Sequence, residues 1–380
     1  MFVRQHHRRR RLNLRIAIFL LSSRTVQLYL IYCNLKAMPS FKQTLQLKNR
    51  NDSLSASSSD DEAFIPSGIP LSKLAPAKVY ELLQSSRLNF PEMIINGYPM
   101  LNPHTVGAIV PETEFNRGSF VPVEESRRKC ARCGHLFRLN PDGSMPKTRC
   151  TYHHRSQLDP QTHKRILPCC NAPAKHSTSR GCMVNDYHVF VAATVSTLSD
   201  FVTTPQVNGS ADYRSKKVYG IDCELVYTLN GLEVARVSLV DMKGRVVLDT
   251  HVLPQFPILD YNTAFSGVEP KHLKDAISLE ACRRQLFQFI NESTLLVGHS
   301  LETDLKALRL CHSNVIDTAV LFAERFPNES SPRKPALRTL TSKFLQRNIQ
   351  TSESGHCSSE DARACLDLLS KRFEMAAQVC

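Results

Sequence analysis

A chain of 380 residues, 42% of them hydrophobic, has room for two or three cores, and its composition excludes collagen-like repetition and full disorder. Lys and Arg number 48 against 35 Asp and Glu, a formal charge of +13 that taken alone suggests a polycation for nucleic acid. The distribution narrows that reading: residues 1–51 hold 11 of the basic side chains and no acid, which leaves 37 basic against 35 acidic groups in the rest.

The most apolar stretch near the start is Ile16 to Cys33, and Arg24 sits at its centre. A guanidinium at mid-bilayer costs roughly 2.5 to 3.5 kcal/mol on insertion scales, so no stable membrane insertion is expected. The apolar run is also short for a secretory signal and lacks a small-x-small cleavage site. Residues 1–68, ending in the Ser and Asp tract NDSLSASSSDDEAFIPSG, are expected to be a largely disordered basic extension and linker. The Arg-rich, acid-free start keeps a mitochondrial presequence open, as it does a useful start at Met38. With no convincing export signal, the 13 cysteines read as thiols and metal ligands in a reducing compartment.

Residues 69–125 are expected to form a small segment with one helix, from the spacing of Leu74, Val79, Leu82 and Leu83, followed by an extended stretch punctuated by Pro91, Gly97, Pro99 and Pro103. Residues 126–195 are a Cys/His block and 196–216 a polar linker. From 217 to 376 the pattern becomes α/β. Strands Lys217–Leu225, Ala235–Asp241 and Arg245–Leu253 form an antiparallel meander. A helix Leu279–Ile290, strand Thr294–Gly298, helix Glu302–Leu310, strand Val315–Asp317 and helices Leu337–Leu345 and Ser359–Met375 follow. That order implies a mixed sheet with flanking helices, preceded by a small Cys/His module.

Asp222 and Glu224 stand at i and i+2 on the first strand, so both carboxylates project to one face. Like charges so placed raise one another's pKa unless a cation lies between them, and a divalent metal is the simplest remedy. Asp304, in GHSLETDL, falls in the first turn of a helix after a strand. His356, in GHCSSEDA, precedes Asp361 at the start of the last helix. Each motif alone is compatible with helix capping; together they supply four carboxylates and a histidine.

These residues, with the phrases DYNTAFSGV, VIDTAVLF and LRTLTSKFL, make residues 217–375 resemble the DEDDh 3′-5′ exonucleases, specifically the RNA exonuclease 1 group. The resemblance implies a ribonuclease H-like fold and two Mg²⁺ or Mn²⁺ ions held by Asp222, Glu224, Asp304 and Asp361. Such a pair suits in-line phosphodiester displacement. His356 would take the proton from the attacking water. Tyr227, Phe265, Ser266 and Gly267 are candidates for substrate contact, with core packing the better expectation for Phe265. His299 and Asp317 are assigned structural roles.

In the Cys/His block, Cys130-x2-Cys133 and Cys150-x2-His153 precede Cys169, Cys170, Cys182 and His188. Eight ligands divide into two sets of three cysteines and one histidine, each sufficient for a closed tetrahedral Zn²⁺ site, so one or two structural zinc ions are expected. The pairing of ligands stays open, with His154, His163 and His176 as possible substitutes. The phrases CARCGHLF, CTYHH and GCMVNDYH resemble both the region preceding the nuclease in RNA exonuclease 1 proteins and the CHORD zinc module.

The expected function is therefore a metal-dependent 3′-5′ exoribonuclease acting on single-stranded RNA 3′ ends in RNA processing or turnover. The alternatives are a catalytically weak nucleic-acid binder and a DNA-directed exonuclease. The group resemblance favours the nucleus, with mitochondrion or cytoplasm as alternatives.

Overall fold

A computed structural model describes residues 71–101, 108–109, 126–154, 156–158, 164–167, 169–174, 181–191, 200–324, 333–352 and 355–377. The basic extension, the stretch Ile16 to Cys33, Met38, His163 and His176 lie outside them. The architecture is a mixed α/β fold with helices on both faces of one sheet, as the patterning predicts.

Three long strands build the centre: β1 (Val218–Thr228), β2 (Gly231–Asp241) and β3 (Val246–Leu253), paired antiparallel as a meander. The short strands β4 (Ile258–Asp260), β5 (Ile277–Ser278), β6 (Leu295–Gly298) and β7 (Val315–Asp317) complete it. The order across the sheet is β5-β3-β2-β1-β6-β7, with β4 on the far end of β1. β6 is parallel to both β1 and β7, so the meander passes into the parallel half at β1. β6 is buried at every residue, which accounts for its unbroken apolar run.

Helices cover both faces. Odd positions of β1, Ile221 and Cys223, join Val237 and Leu239 against α3 (Leu279–Leu286) and α4 (Leu301–Ala307). Even positions face the other way: Val218 packs with Val240, Val297, Cys365 and Leu369 of the long α5 (Ser358–Ala377). α1 (Pro76–Leu83) joins this second core through Val79, Leu82 and Leu83. Period-2 alternation on β1 thus decides which helix each residue meets.

Two local expectations change. Residues around Pro91 form a helix, α2 (Phe90–Asn96), where an extended stretch was expected. Asn89 and Glu92 make a reciprocal capping box, and Pro91 stands in the first turn, where a missing N–H costs nothing. Tyr98 just beyond is fully buried. Within the segment expected as a linker, residues 200–216 lie along the nuclease unit: Val202–Thr203 pair in parallel with Leu310–Cys311, and Arg214 chelates Asp212 while donating to the Phe287 carbonyl. Residues Ala63–Cys380 cluster as one compact unit.

Candidate active site

Three elements place the four carboxylates. Asp222 and Glu224 lie on even positions of β1, opposite Ser238 and Arg236 of β2, and a bulge follows Glu224. That face meets α5, where Ser238 and Ser358 hydroxyls lie 2.7 Å apart. Gly220 lets the helix come close: a Cβ there would stand 2.6 Å from the Ala362 carbonyl oxygen. Asp361 is in the first turn of α5 and Asp304 in that of α4. Asp304 accepts a 2.8 Å hydrogen bond from the backbone N–H of Cys223, which ties α4 to the strand between the two β1 carboxylates.

Glu224, Asp304 and Asp361 are buried and Asp222 is half-buried, an environment that raises the pKa of all four carboxylates. Burial, with the charges of Asp304, Asp361 and Glu224, holds Asp222 well above the usual carboxylate range. Burial and Asp361 push Glu224 up to about 9, against the opposing pull of Arg236. Burial raises Asp304 to about 8 although the Cys223 N–H favours its anion. Asp361 rises to about 7, again chiefly by burial, with the Gln350 amide working the other way. Glu224 Oε1 and Asp361 Oδ1 are buried with no hydrogen-bond partner. Buried hard oxygens with unused lone pairs and mutually raised pKa values fit divalent cations such as Mg²⁺ or Mn²⁺.

His356 stands at the rim, with Nδ1 4.0 Å from Asp361 Oδ2 and its backbone N–H donating to the Phe265 carbonyl at 2.8 Å. Burial lowers its pKa, helped by Arg338, so the ring is neutral at pH 7. Gly355 before it has φ +102°, and a Cβ there would lie 2.3 Å from the Gly267 nitrogen, so this turn admits no side chain. Gln350, which sequence reasoning did not single out, donates to Asp361 Oδ2 at 2.7 Å. It sits in a loop at φ +57° and belongs to no periodic pattern, so its sequence offers no signal.

The substrate candidates separate. Phe265 is 38% exposed and stands edge-on to His356 with centroids 5.9 Å apart, which corrects the core-packing expectation. Ser266 is buried, donates to the Tyr261 carbonyl and accepts from Val268 N–H, so it holds the loop. Gly267 ends the turn Thr263–Ser266 in a left-handed conformation. Tyr227 lies beneath the Arg132 guanidinium, 5.0 Å from it. Asp317 accepts from Ser300 N–H, Ala319 N–H and Tyr98 OH, and His299 pairs with Thr318, both structural tasks as expected.

Among the described residues, two sets of metal-type donors have all their ligand atoms within 4.8 Å of one another: Cys130, Cys133, Cys150 with His188, and Cys169, Cys170, Cys182 with His153. The grouping is interleaved, and His153 and His188 are exchanged relative to their order along the chain. Cys150 opens one strand of the antiparallel pair Cys150–Tyr152 and Met183–Asn185, and Cys182 directly precedes the other, which brings the two halves of the block side by side. Cys130 and Cys150 sulfurs are 3.7 Å apart, close to the edge of about 3.8 Å that a tetrahedron with 2.3 Å zinc–sulfur bonds requires. Cys133 Sγ is 3.3 Å from His188 Nδ1, and His153 Nδ1 is 3.3 Å from Cys169 Sγ. Burial opposes ionisation of Cys130, yet the N–H groups of Cys133, Val189 and Arg132 bring its pKa down. Both donor sets fit Zn²⁺; the second is the more exposed, at Cys170 and Cys182.

Residues 220–369 match the RNase T exonuclease family, and residues 128–186 match the RNA exonuclease 3 middle domain. The chain is 38% identical over 309 residues to the putative RNA exonuclease pqe-1 of Caenorhabditis elegans, covering 78% of this chain and 18% of that protein. It is 37% identical over 313 residues to the human RNA exonuclease 1 homolog, covering 80% and 24%. RNA exonuclease 3 of Candida albicans is 31% identical over 298 residues, covering 77% of this chain and 67% of the relative. The Pan2 catalytic unit of Neurospora crassa aligns at 26% identity and a TM-score of 0.40, covering 47% and 30%. The chain spans less than half the length of pqe-1 and of the human homolog. A likeness that runs through both the Cys/His segment and the nuclease sheet, and over two thirds of the Candida protein, places this chain in the RNA exonuclease family, with an exonuclease domain of the RNase T type.

Proposed function

We propose that this protein is a metal-dependent 3′-5′ exoribonuclease that removes nucleotides from single-stranded RNA 3′ ends. The observation that carries the reading is the convergence of Asp222, Glu224, Asp304 and Asp361 from three elements, with buried carboxylate oxygens left unpaired on Glu224 and Asp361. Family membership supports hydrolysis of phosphodiesters. RNA as substrate is supported by the names of the relatives.

The four carboxylates would hold Mg²⁺ or Mn²⁺, which when bound neutralise the scissile phosphate and acidify a water. His356, neutral at pH 7, accepts the proton of the attacking water. Gln350 orients Asp361, and the Cys223 N–H orients Asp304. Phe265 offers an exposed ring beside His356 for a nucleotide base. The two Cys/His sets would each hold a structural Zn²⁺, and the physiological location we propose is the nucleus.

The test is degradation of 5′-labelled single-stranded RNA in Mg²⁺, with a matched DNA strand alongside. Wild type should shorten RNA stepwise from the 3′ end, and Asp304→Asn should slow it by several orders of magnitude. Equal rates in both proteins would sink the assignment. Preference for the DNA strand would make this a DNA-directed member instead.

A further inference from the structure

The Cys/His segment reaches the nuclease centre itself. His154, adjacent to the zinc-type donor His153, lies edge-on to Phe265 with ring centroids 5.4 Å apart and planes at 72°. Phe265 stands edge-on to His356 in turn, at 5.9 Å and 83°. Phe265 therefore bridges His154 of the Cys/His segment and His356 of the candidate active site. His154 Nδ1 is buried without a hydrogen-bond partner, and Phe265 keeps 38% of its surface in solvent.

Neither ring is loose. His154 packs edge-on to Tyr152 at 6.2 Å. The guanidinium of Arg132 lies between the rings of Tyr152 and Tyr227, 4.8 and 5.0 Å from their centroids, and bonds Asp260 at 2.6 Å. Asn185 donates to the same Asp260 oxygen, while the other oxygen accepts from Asn262 N–H at the start of the turn that carries Phe265. Asp260 thus clamps the Cys/His segment to the Phe265 turn. An exposed, rigid apolar ring beside a cluster of buried carboxylates suits a ligand that joins a flat ring to an anionic chain. Because Asp260 neutralises Arg132, that grip comes from stacking more than from charge.

We propose that His154 and Phe265 together form the surface for the base immediately 5′ of the nucleotide being removed, so that the Cys/His segment supplies part of the RNA-binding groove. This rests on the nuclease reading above. Two measurements test it. Wild-type protein held with Ca²⁺ in place of Mg²⁺ is photo-crosslinked to a single-stranded RNA pentanucleotide carrying 4-thiouridine next to its 3′-terminal residue. The crosslink should map to the peptides containing His154 or Phe265, and mapping elsewhere overturns the proposal. Second, kinetics on the pentanucleotide are compared with those on the p-nitrophenyl ester of uridine 5′-monophosphate, which carries the removed nucleotide but lacks the base in question. His154→Ala should raise KM for the pentanucleotide about tenfold, far more than for the ester, with kcat little affected, and His154→Phe should restore it. Zinc content is measured on each variant. Equal effects on both substrates, or none, would overturn the groove while leaving the nuclease standing. Failure of wild type to hydrolyse either substrate would remove both readings together.

Discussion

Asp361 carries the tension of the site most plainly: one oxygen is satisfied by Gln350 and the other is buried unpaired, beside three more carboxylates of raised pKa. The sign of the consequence follows from those shifts. A carboxylate whose folded pKa exceeds its unfolded value of about 4 stabilises the fold below that value, and the contribution is lost as pH rises through the folded pKa. For Asp361, Asp304 and Glu224 the loss begins at the unfolded value of about 4 and is complete at about 7, 8 and 9 respectively. In magnesium-free buffer with zinc retained, Tm should fall between pH 6 and pH 9, and added Mg²⁺ should raise it more at pH 9 than at pH 6. Calorimetry at the two pH values checks this; an equal Mg²⁺ shift at both would show that these carboxylates do not hold the ion. The identities of the carboxylates and His356 could be read off their motifs. Gln350 and the exposure of Phe265 could not, because a loop side chain's partner is set by what folds against it.

At the scale of elements, Gly220 determines how closely α5 approaches β1. A methyl group there would meet the Ala362 carbonyl oxygen at 2.6 Å and Leu366 Cγ at 3.0 Å, and Ala362 follows Asp361 directly. Gly220→Ala should therefore cost about 1 to 3 kcal/mol of stability by overpacking and weaken Mg²⁺ dependence by shifting Asp361 from Asp222 and Glu224. Urea unfolding of the two proteins measures it, and an unchanged midpoint would mean that the helix sits farther from the strand. The three-strand meander was legible because its residues alternate and its turns are short. α2 was missed although Asn89-x-x-Glu92 is a capping-box signature, since Pro91 was weighed as a breaker where it is a helix-start residue. The strand Val202–Thr203 was not legible: two residues have no periodicity, and only their parallel partner Leu310–Cys311 makes them a strand.

For the whole molecule, the charge of +13 resides largely in residues 1–51, outside the described residues, while the described site is acidic. Under the proposed function, long-range attraction of RNA would be salt-sensitive, whereas the carboxylates would act at contact distance. Two zinc ions per chain are expected by metal analysis, and the interleaving gives a sharper prediction. Cys150 shares a site with His188 and not with His153. Cys150→Ser with His188→Ala should leave about one zinc, whereas Cys150→Ser with His153→Ala should leave almost none. The opposite pattern would restore the pairing by chain order. What the sequence alone determined about this protein is the inventory of its chemistry: carboxylates in strand and helix-start motifs, a histidine before the last helix, and eight thiol and imidazole donors. Those follow from residue type and local periodicity. Which histidine joins which cysteines, and the meeting of His154 with Phe265 beside His356, were decided by the tertiary structure. Such pairings close loops of dozens of residues, and the strand contacts and the Asp260 clamp that select among them lie far apart in the chain.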